Sequence, residues 1–196
     1  ELSEKFYIDS LILESSNFNK MRKEGCLNPF DAKNQVVICS YNFAANKDSF
    51  VHAMPWDLVV LDEAHRLRNV YKPQNVTANK LKNALKGRKK LLLTATPLQN
   101  NLMELYGLVS FIDEHVFGDA KTFREMYVAV NNAELRNRNL RDRLSVFCKR
   151  TLRKQVTEYV RYTERHAILQ EYTPTKDEEL LYNSISSYLQ TDHLYA

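Results

Sequence analysis

Four apolar residues run directly into two carboxylates in the stretch Leu58-Val59-Val60-Leu61-Asp62-Glu63-Ala64-His65. A second apolar run ends in polar residues in the stretch Leu91-Leu92-Leu93-Thr94-Ala95-Thr96-Pro97-Leu98-Gln99-Asn100. Short apolar runs without alternation are typical of strands buried on both faces of a parallel sheet. Such sheets keep their ligands in a crevice beyond the carboxyl ends of the strands. We therefore expect the polar ends of both runs to share one crevice.

The first half of the chain repeats this rhythm of strand and helix. Further strands are predicted at residues 7–13 and 36–39, and helices at 17–24, 48–53 and 78–86. Gly87 follows the last of these helices, where a left-handed cap is expected. Strands that alternate with helices indicate an α/β fold, with a parallel sheet flanked by helices.

After Pro97 the pattern becomes mostly helical. The remaining signals are two capping boxes, Asn101 with Glu104 and Thr175 with Glu178, and a short strand at 166–172. We expect an α/β part at residues 1–115 and a mostly helical appendage at 116–196.

Composition excludes several classes of protein. The 196 residues carry a net charge of +4 and are 44% hydrophobic, which is ordinary for a globular protein. The three cysteines follow neither a metal-ligand nor a disulfide spacing, which favours a reducing compartment. No apolar run approaches the roughly 20 residues that span a bilayer. We expect a cytoplasmic protein, associated with the nucleoid or, in a eukaryote, with the nucleus.

The carboxylate pair has a chemical interpretation and two alternatives. Asp62 at a strand end can hold Mg²⁺, and Glu63 can act on a water molecule, as nucleoside triphosphate hydrolysis requires. One alternative is that both acids cap the following helix or loop. The other is a metal site with His65, but the sequence contains no His-Glu-x-x-His pattern.

Four stretches, in a fixed order along the chain, carry a resemblance to a known family: 36–41, 56–69, 91–105 and 150–156. Asp-Glu-Ala-His after one strand and Thr-Ala-Thr-Pro after another resemble the DEAD/DEAH-box helicases of superfamily two. The wider pattern resembles the Swi/Snf family of double-stranded-DNA translocases within that superfamily. The chain departs from that family at Ala95, where glycine is usual, and at Arg68, where lysine is usual.

The resemblance implies the first RecA-like lobe of a motor that binds ATP and Mg²⁺. Asp62 would hold Mg²⁺ on the phosphates, Glu63 would orient or deprotonate the attacking water, and His65 would connect the nucleotide to a coupling motif. That motif, which relays the nucleotide state to lobe closure, comprises Thr94, Ala95, Thr96, Gln99 and Asn100. For the two threonines, turn formation before Pro97 remains an alternative.

The resemblance also implies a partner, double-stranded DNA. Ser40 and Tyr41 would contact its backbone, although a core or turn role for Tyr41 stays open. Arg150, Arg153 and Lys154 recur at helical spacing and would form either a phosphate-contacting face or a solvated one.

Two parts of such a motor are absent from the sequence. None of its four glycines precedes Lys-Ser or Lys-Thr, so the phosphate-binding loop G-x-x-x-x-G-K-[ST] is missing, and so is a second RecA-like lobe. We expect the chain to begin within a longer ATP hydrolase and to be inactive by itself. The alternatives are the motor of a strand-separating helicase or of a restriction or defence system, and a non-catalytic RecA-like module that binds a partner.

Overall fold

The computed structural model describes residues 1–33, 35–130, 132–151, 155 and 166–190. The chain forms two compact units, residues 1–149 and residues 150–196. This division lies later than the boundary after residue 115 that the sequence predicts.

Two pairs of parallel strands form the frame of the first unit. β1 (Ser10–Ile12) pairs with β2 (Val36–Ile38), and β3 (Val59–Leu61) pairs with β4 (Lys90–Leu92). The predicted parallel α/β arrangement is confirmed, although β1, β2 and β3 are shorter than their apolar runs and β4 starts one residue before its run. The first strand starts late because Tyr7 ends a short helix in a left-handed conformation, with φ 54°.

Helices connect the strands and follow them. Those of the first unit are α1 (Leu2–Phe6), α2 (Ser15–Lys23), α3 (Tyr41–Asn46), α4 (Asp48–His52), α5 (Val76–Ala84), α6 (Leu102–Ile112), α7 (Ala120–Phe123) and α8 (Ala133–Leu144). A 3₁₀ turn at Ala64–Leu67 follows β3, and a π turn at Arg124–Val128 follows α7. The turn after α5 contains Gly87 with φ 75°, so the predicted left-handed glycine is confirmed.

The prediction that the strands are buried on both faces is wrong. Leu61 is buried, whereas its neighbour Val60 is 51% exposed and Leu91, opposite it, is 46% exposed. Successive side chains of a strand point to opposite faces. One face of each strand pair therefore packs on helices, while the other is an apolar surface open to solvent in the described residues.

Two hydrophobic cores hold the first unit together. The first packs residues of the strands against the helices α2 to α5, with aromatic contacts among Phe18, Phe30 and Phe43. The second joins α6 to the segment that follows it, through contact between the rings of Tyr106 and Phe123, whose centres are 5.1 Å apart. Since Leu140 of α8 belongs to this second core, the helices after residue 115 fold together with α6.

The second unit contains α9 (Lys176–Leu189), which the predicted capping box of Thr175 and Glu178 opens. The strand predicted at 166–172 is wrong, since these described residues form neither helix nor strand. Ile168 and Leu169 are exposed there, and an apolar run without a neighbouring strand lacks the ladder bonds that define a sheet. No helix within the described ranges is long and apolar enough to cross a membrane.

Candidate active site

The two carboxylates form a tight turn at the end of β3, which we call the carboxylate turn (Asp62–Glu63). Asp62 Oδ1 accepts a hydrogen bond from Glu63 N at 2.9 Å, and both residues are exposed. Glu63 adopts φ 49°, a left-handed conformation that is uncommon for residues other than glycine. Such backbone strain persists where surrounding contacts enforce it, and it concentrates at functional sites.

His65 lies beside Glu63. Its Nδ1 is 3.1 Å from Glu63 Oε2, which places the imidazole where it can restrain the carboxylate. The two groups are close but not aligned as a hydrogen bond requires. His65 Nδ1 has no other hydrogen-bond partner among the described residues. The structure thus brings His65 to Glu63, while its predicted connection to the coupling motif remains a prediction.

The coupling loop, residues 94–100, begins next to the carboxylate turn. Ala64 N donates to Leu93 O at 2.9 Å, just after Leu93 N donates to Leu61 O at 2.9 Å. These two bonds extend the pairing of β3 and β4 to Leu93, the residue before the loop. The polar ends of the two apolar runs therefore meet at one edge of the sheet, as expected from parallel strands.

Within the coupling loop the two threonines make a local turn. Thr94 Oγ1 accepts from Thr96 N at 3.2 Å, and Ala95 and Thr96 are exposed. The turn interpretation therefore describes Thr94 in this structure, and its hydroxyl proton is still available to a ligand.

Glu104 fixes the other end of the coupling loop. Its side chain accepts from Gln99 N at 2.8 Å, from Asn100 N at 3.1 Å and from Asn100 Nδ2 at 3.0 Å. The expected capping box at Asn101 is therefore only half present: Asn101 Oδ1 accepts from Met103 N, but Glu104 binds the loop instead of closing the box. This role of Glu104 was not predicted from the sequence.

Arg68 joins the same network from the segment after the carboxylate turn. Its Nη2 donates to Gln99 Oε1 at 2.7 Å, and its Nε lies 3.8 Å from Glu104 Oε1. Gly107 allows α6 to approach this segment, because a Cβ at that position would lie 1.9 Å from Arg68 O. Helix α6 therefore contacts both the coupling loop, through Glu104, and the segment that follows the carboxylate turn, through Gly107.

Glu104 is charged although only 2% of it is exposed. Burial alone would raise the pKa of its carboxyl group, but the bonds from Gln99 and Asn100 and the nearby Arg68 outweigh burial and lower the pKa. An acid on the buried face of an otherwise apolar helix is the signal in the sequence that could have revealed this network.

Ser40 and Tyr41 are adjacent in sequence but make different contacts. Ser40 is exposed, caps α3 by accepting from Phe43 N at 3.2 Å, and lines a cavity of about 360 Å³ at the carboxyl ends of β1 and β2. Tyr41 points to the carboxylate turn, where its hydroxyl donates to Asp62 O at 2.5 Å.

Of the predicted basic cluster, the structure describes Arg150 alone. Arg150 is exposed and belongs to neither a helix nor a strand. Arg153 and Lys154 lie outside the described residues.

The carboxylate turn suits Mg²⁺ better than a metal held by protein alone. Asp62 and Glu63 offer exposed oxygen ligands, which Mg²⁺ combines with phosphate oxygens and water. No group of three His, Cys, Asp or Glu side chains in the described ranges could hold a metal ion. The residues present therefore fit a magnesium ion that arrives with a nucleotide.

A family model, the SNF2-related domain, matches residues 7–194. The chain belongs to the SNF2-related domain family. One relative, the ISWI chromatin-remodeling complex ATPase ISW2 of Saccharomyces cerevisiae, is 34% identical over 104 residues, which cover 53% of this chain and 9% of that protein. Another, the DNA repair and recombination protein RAD54 of Oryza sativa subsp. japonica, is 42% identical over 96 residues, or 48% of this chain and 9% of that protein.

A solved structure shares the fold. The SWI2/SNF2 ATPase core of Sulfolobus solfataricus, in complex with double-stranded DNA, superposes with a TM-score of 0.57 at 20% identity. The match covers 74% of this chain and 29% of that one. The predicted fold class, a RecA-like parallel sheet flanked by helices, is confirmed by this match together with the parallel strand pairs.

Proposed function

We propose that this chain is part of the first lobe of an ATP-dependent translocase that moves on double-stranded DNA. The observation that carries the proposal is the carboxylate turn at the end of β3, bonded next to the coupling loop at the end of β4, in a member of the SNF2-related domain family. The phosphate-binding loop and the second lobe of such a motor are not contained in the 196 residues. Activity therefore belongs to the longer protein that carries this chain.

Each residue of the site has a role in this proposal. Asp62 holds Mg²⁺, which neutralises charge on the phosphates when it is bound with ATP. Glu63 orients the attacking water and accepts its proton, and the neighbouring His65 limits the movement of the Glu63 carboxylate. The coupling loop relays the nucleotide state through Thr94, Ala95, Thr96, Gln99 and Asn100. It begins beside the carboxylate turn, and Glu104 binds its other end.

DNA is the proposed track. Ser40 offers an exposed hydroxyl that can donate to a phosphate oxygen, and Arg150, Arg153 and Lys154 supply positive charge in the second unit. The solved ATPase core that shares this fold is itself bound to double-stranded DNA. We propose that residues 116–196, of which 116–149 fold with the first unit, belong to a helical protrusion that leads towards the second lobe.

The compartment follows from the track. One relative is the nuclear protein STH1/NPS1 of Saccharomyces cerevisiae, which is 30% identical over 117 residues. We propose that the protein carrying this chain works where DNA is held, which in a eukaryote is the nucleus rather than the cytoplasm.

The test is ATP hydrolysis by the full-length protein, with and without duplex DNA, for wild type and Glu63→Gln. Glutamine keeps the shape and hydrogen bonding of Glu63 but cannot accept the proton, so DNA-stimulated turnover should fall roughly 10²- to 10⁴-fold. Glu134→Gln is the matched control, since it makes the same change on the exposed start of α8, and it should leave turnover unaltered. Wild-type turnover by Glu63→Gln would refute the assignment of Glu63, whereas a wild-type protein without DNA-stimulated turnover would favour a non-catalytic, partner-binding module.

A further inference from the structure

Tyr41 connects α3 to the carboxylate turn through its hydroxyl group. The hydroxyl donates to the carbonyl oxygen of Asp62 at 2.5 Å, across 21 positions of sequence. The guanidinium of Arg66, from the 3₁₀ turn that follows the carboxylates, lies 5.6 Å from the centre of the Tyr41 ring. The Tyr41 side chain therefore contacts the chain on both sides of Glu63: its hydroxyl bonds to Asp62, and its ring makes a cation–π contact with Arg66.

The carbonyl that Tyr41 binds is the last backbone acceptor before the strained residue. Glu63 has φ 49°, and the peptide plane between Asp62 and Glu63 determines where both carboxylates lie. A donor on Asp62 O restrains that plane. Loss of the donor would let the plane rotate and would move the ligand of Mg²⁺ and the residue that orients water together.

The other end of this connection is the exposed start of α3. Tyr41 is the first residue of α3, and the helix is capped by Ser40, the residue we assign to the DNA backbone. Phe43, Ala44 and Ala45 of the same helix are buried in the first core. Ser40 and Tyr41 are adjacent at the start of this packed helix. A contact that shifts Ser40 therefore also shifts the Tyr41 hydroxyl relative to Asp62.

We propose that Tyr41 is a positioning residue that couples DNA contact at the start of α3 to the geometry of the carboxylate turn. This inference rests on the proposed function. It replaces the expectation that Tyr41 itself contacts DNA, since its hydroxyl proton is already donated to the protein.

The Tyr41 hydroxyl is protonated at neutral pH, since even an unperturbed tyrosine has a pKa of about 10. Burial, together with the negative charges of Asp62 and Glu63, raises the pKa of Tyr41 to about 12, and the nearby Arg66 offsets only part of this. Tyr41 therefore acts as a hydrogen-bond donor and not as a titrating group.

The experiment compares Tyr41→Phe with wild type in the full-length protein. Phenylalanine keeps the ring and its contact with Arg66 but removes the donor. The measurements are kcat and KM for Mg·ATP at saturating duplex DNA, and the Kd for duplex DNA of mixed sequence across a salt series. We expect DNA-stimulated kcat to fall about 3- to 10-fold, roughly the worth of one hydrogen bond. The Kd for DNA and its salt dependence should be unchanged.

Tyr106→Phe is the matched control. Its hydroxyl also donates to a backbone carbonyl, Gly118 O at 3.3 Å, but in the second core. A purely structural role for both hydroxyls would lower the melting temperature of both variants and leave kcat per folded molecule equal to that of wild type. We expect a lowered kcat per folded molecule for Tyr41→Phe alone.

Two results would overturn the inference. Weaker DNA binding by Tyr41→Phe, with a change in the salt dependence, would make Tyr41 a phosphate contact after all. An unchanged kcat would mean that the bond to Asp62 has no role in turnover. Glu63→Gln separates these failures from failure of the proposed function: if Glu63→Gln abolishes turnover and Tyr41→Phe does not change it, only the coupling role is refuted.

Discussion

Replacing Glu104 with glutamine should loosen the coupling loop without unfolding α6. Glutamine has nearly the same shape, so one of its side-chain atoms can still accept from Gln99 N and Asn100 N. The other atom becomes an NH₂ group that faces Asn100 Nδ2 and Arg68 Nε, both of which are donors. The substitution therefore converts two attractive contacts of a buried group into repulsive ones.

The size of the effect follows from these contacts. A hydrogen bond to a charged group contributes about 1.5–3 kcal/mol, and a buried donor left without an acceptor costs a similar amount. The 3.8 Å pair with Arg68 adds less, because that distance is at the outer limit of an ion pair. Local opening of the coupling loop should thus become easier by about 2 kcal/mol, which is roughly a 30-fold change in the opening equilibrium.

Hydrogen–deuterium exchange of the full-length protein measures this opening. Peptides that contain residues 94–104 should exchange roughly 30-fold faster in Glu104→Gln than in wild type, while peptides of α2 and β2 should be unchanged. Glu114→Gln is the matched control, since Glu114 pairs with Lys82 at 3.5 Å with its side chain 49% exposed. Surface pairs of this kind contribute little, so its effect should be near zero.

The difference in exchange between Glu104→Gln and wild type should depend on pH with a definite sign. The pKa of Glu104 is lowered in the folded protein, so its carboxylate stabilises the loop at pH values above roughly 4.3, the value for an unperturbed glutamate. That stabilisation is lost as the pH falls through the lowered pKa. The ratio of variant to wild-type exchange should therefore be largest near neutral pH and should shrink in acid. Equal exchange of residues 94–104 in wild type and Glu104→Gln at neutral pH would show that Glu104 does not hold the coupling loop.

Three further outcomes follow from the same structure. Gly107→Ala places a Cβ 1.9 Å from Arg68 O, so α6 must shift, and a loss of about 1–3 kcal/mol should appear as a lower denaturation midpoint for the first unit; an unchanged midpoint would contradict this close approach. The isolated 196-residue chain should show no micromolar binding of Mg·ATP by calorimetry, because it lacks the phosphate-binding loop; a clear micromolar isotherm would mean a differently built nucleotide site. In the full-length protein, the triple change of Arg150, Arg153 and Lys154 to alanine should weaken duplex-DNA binding and lower the log–log salt slope by roughly two to three units; an unchanged slope would place these residues away from the track.

The sequence was sufficient for the frame of the site. Apolar runs that end in polar residues predicted β3, β4 and the meeting of the carboxylate turn with the coupling loop. This succeeded because parallel pairing forces the carboxyl ends of neighbouring strands to one edge. Local signals such as Gly87 and the capping box of Thr175 were equally dependable, because their chemistry lies within a few residues.

The contacts that hold the site could not be predicted in the same way. Tyr41 meets Asp62, and Glu104 meets Arg68, only after the strands and α6 have packed, and neither pairing leaves a periodic signal. Glu104 was misassigned to a capping box because the local pattern for a box competes with a tertiary contact that no local pattern records.

Burial of the strands was over-predicted for a related reason. An apolar run shows that both faces of a strand avoid water, but it does not say which segment covers each face. In the described residues, helices cover one face, while Val60 and Leu91 on the other remain about half exposed.

We propose that ATP hydrolysis at the carboxylate turn drives movement along double-stranded DNA. Displacement of a third strand from a DNA triplex by the full-length protein tests it most directly, since the assay needs translocation on duplex DNA and no separation of its strands. We predict ATP-dependent displacement by wild type, none by Glu63→Gln, and no unwinding of a forked duplex by either protein. Displacement by Glu63→Gln at the wild-type rate, or unwinding of the fork by wild type, would contradict the account.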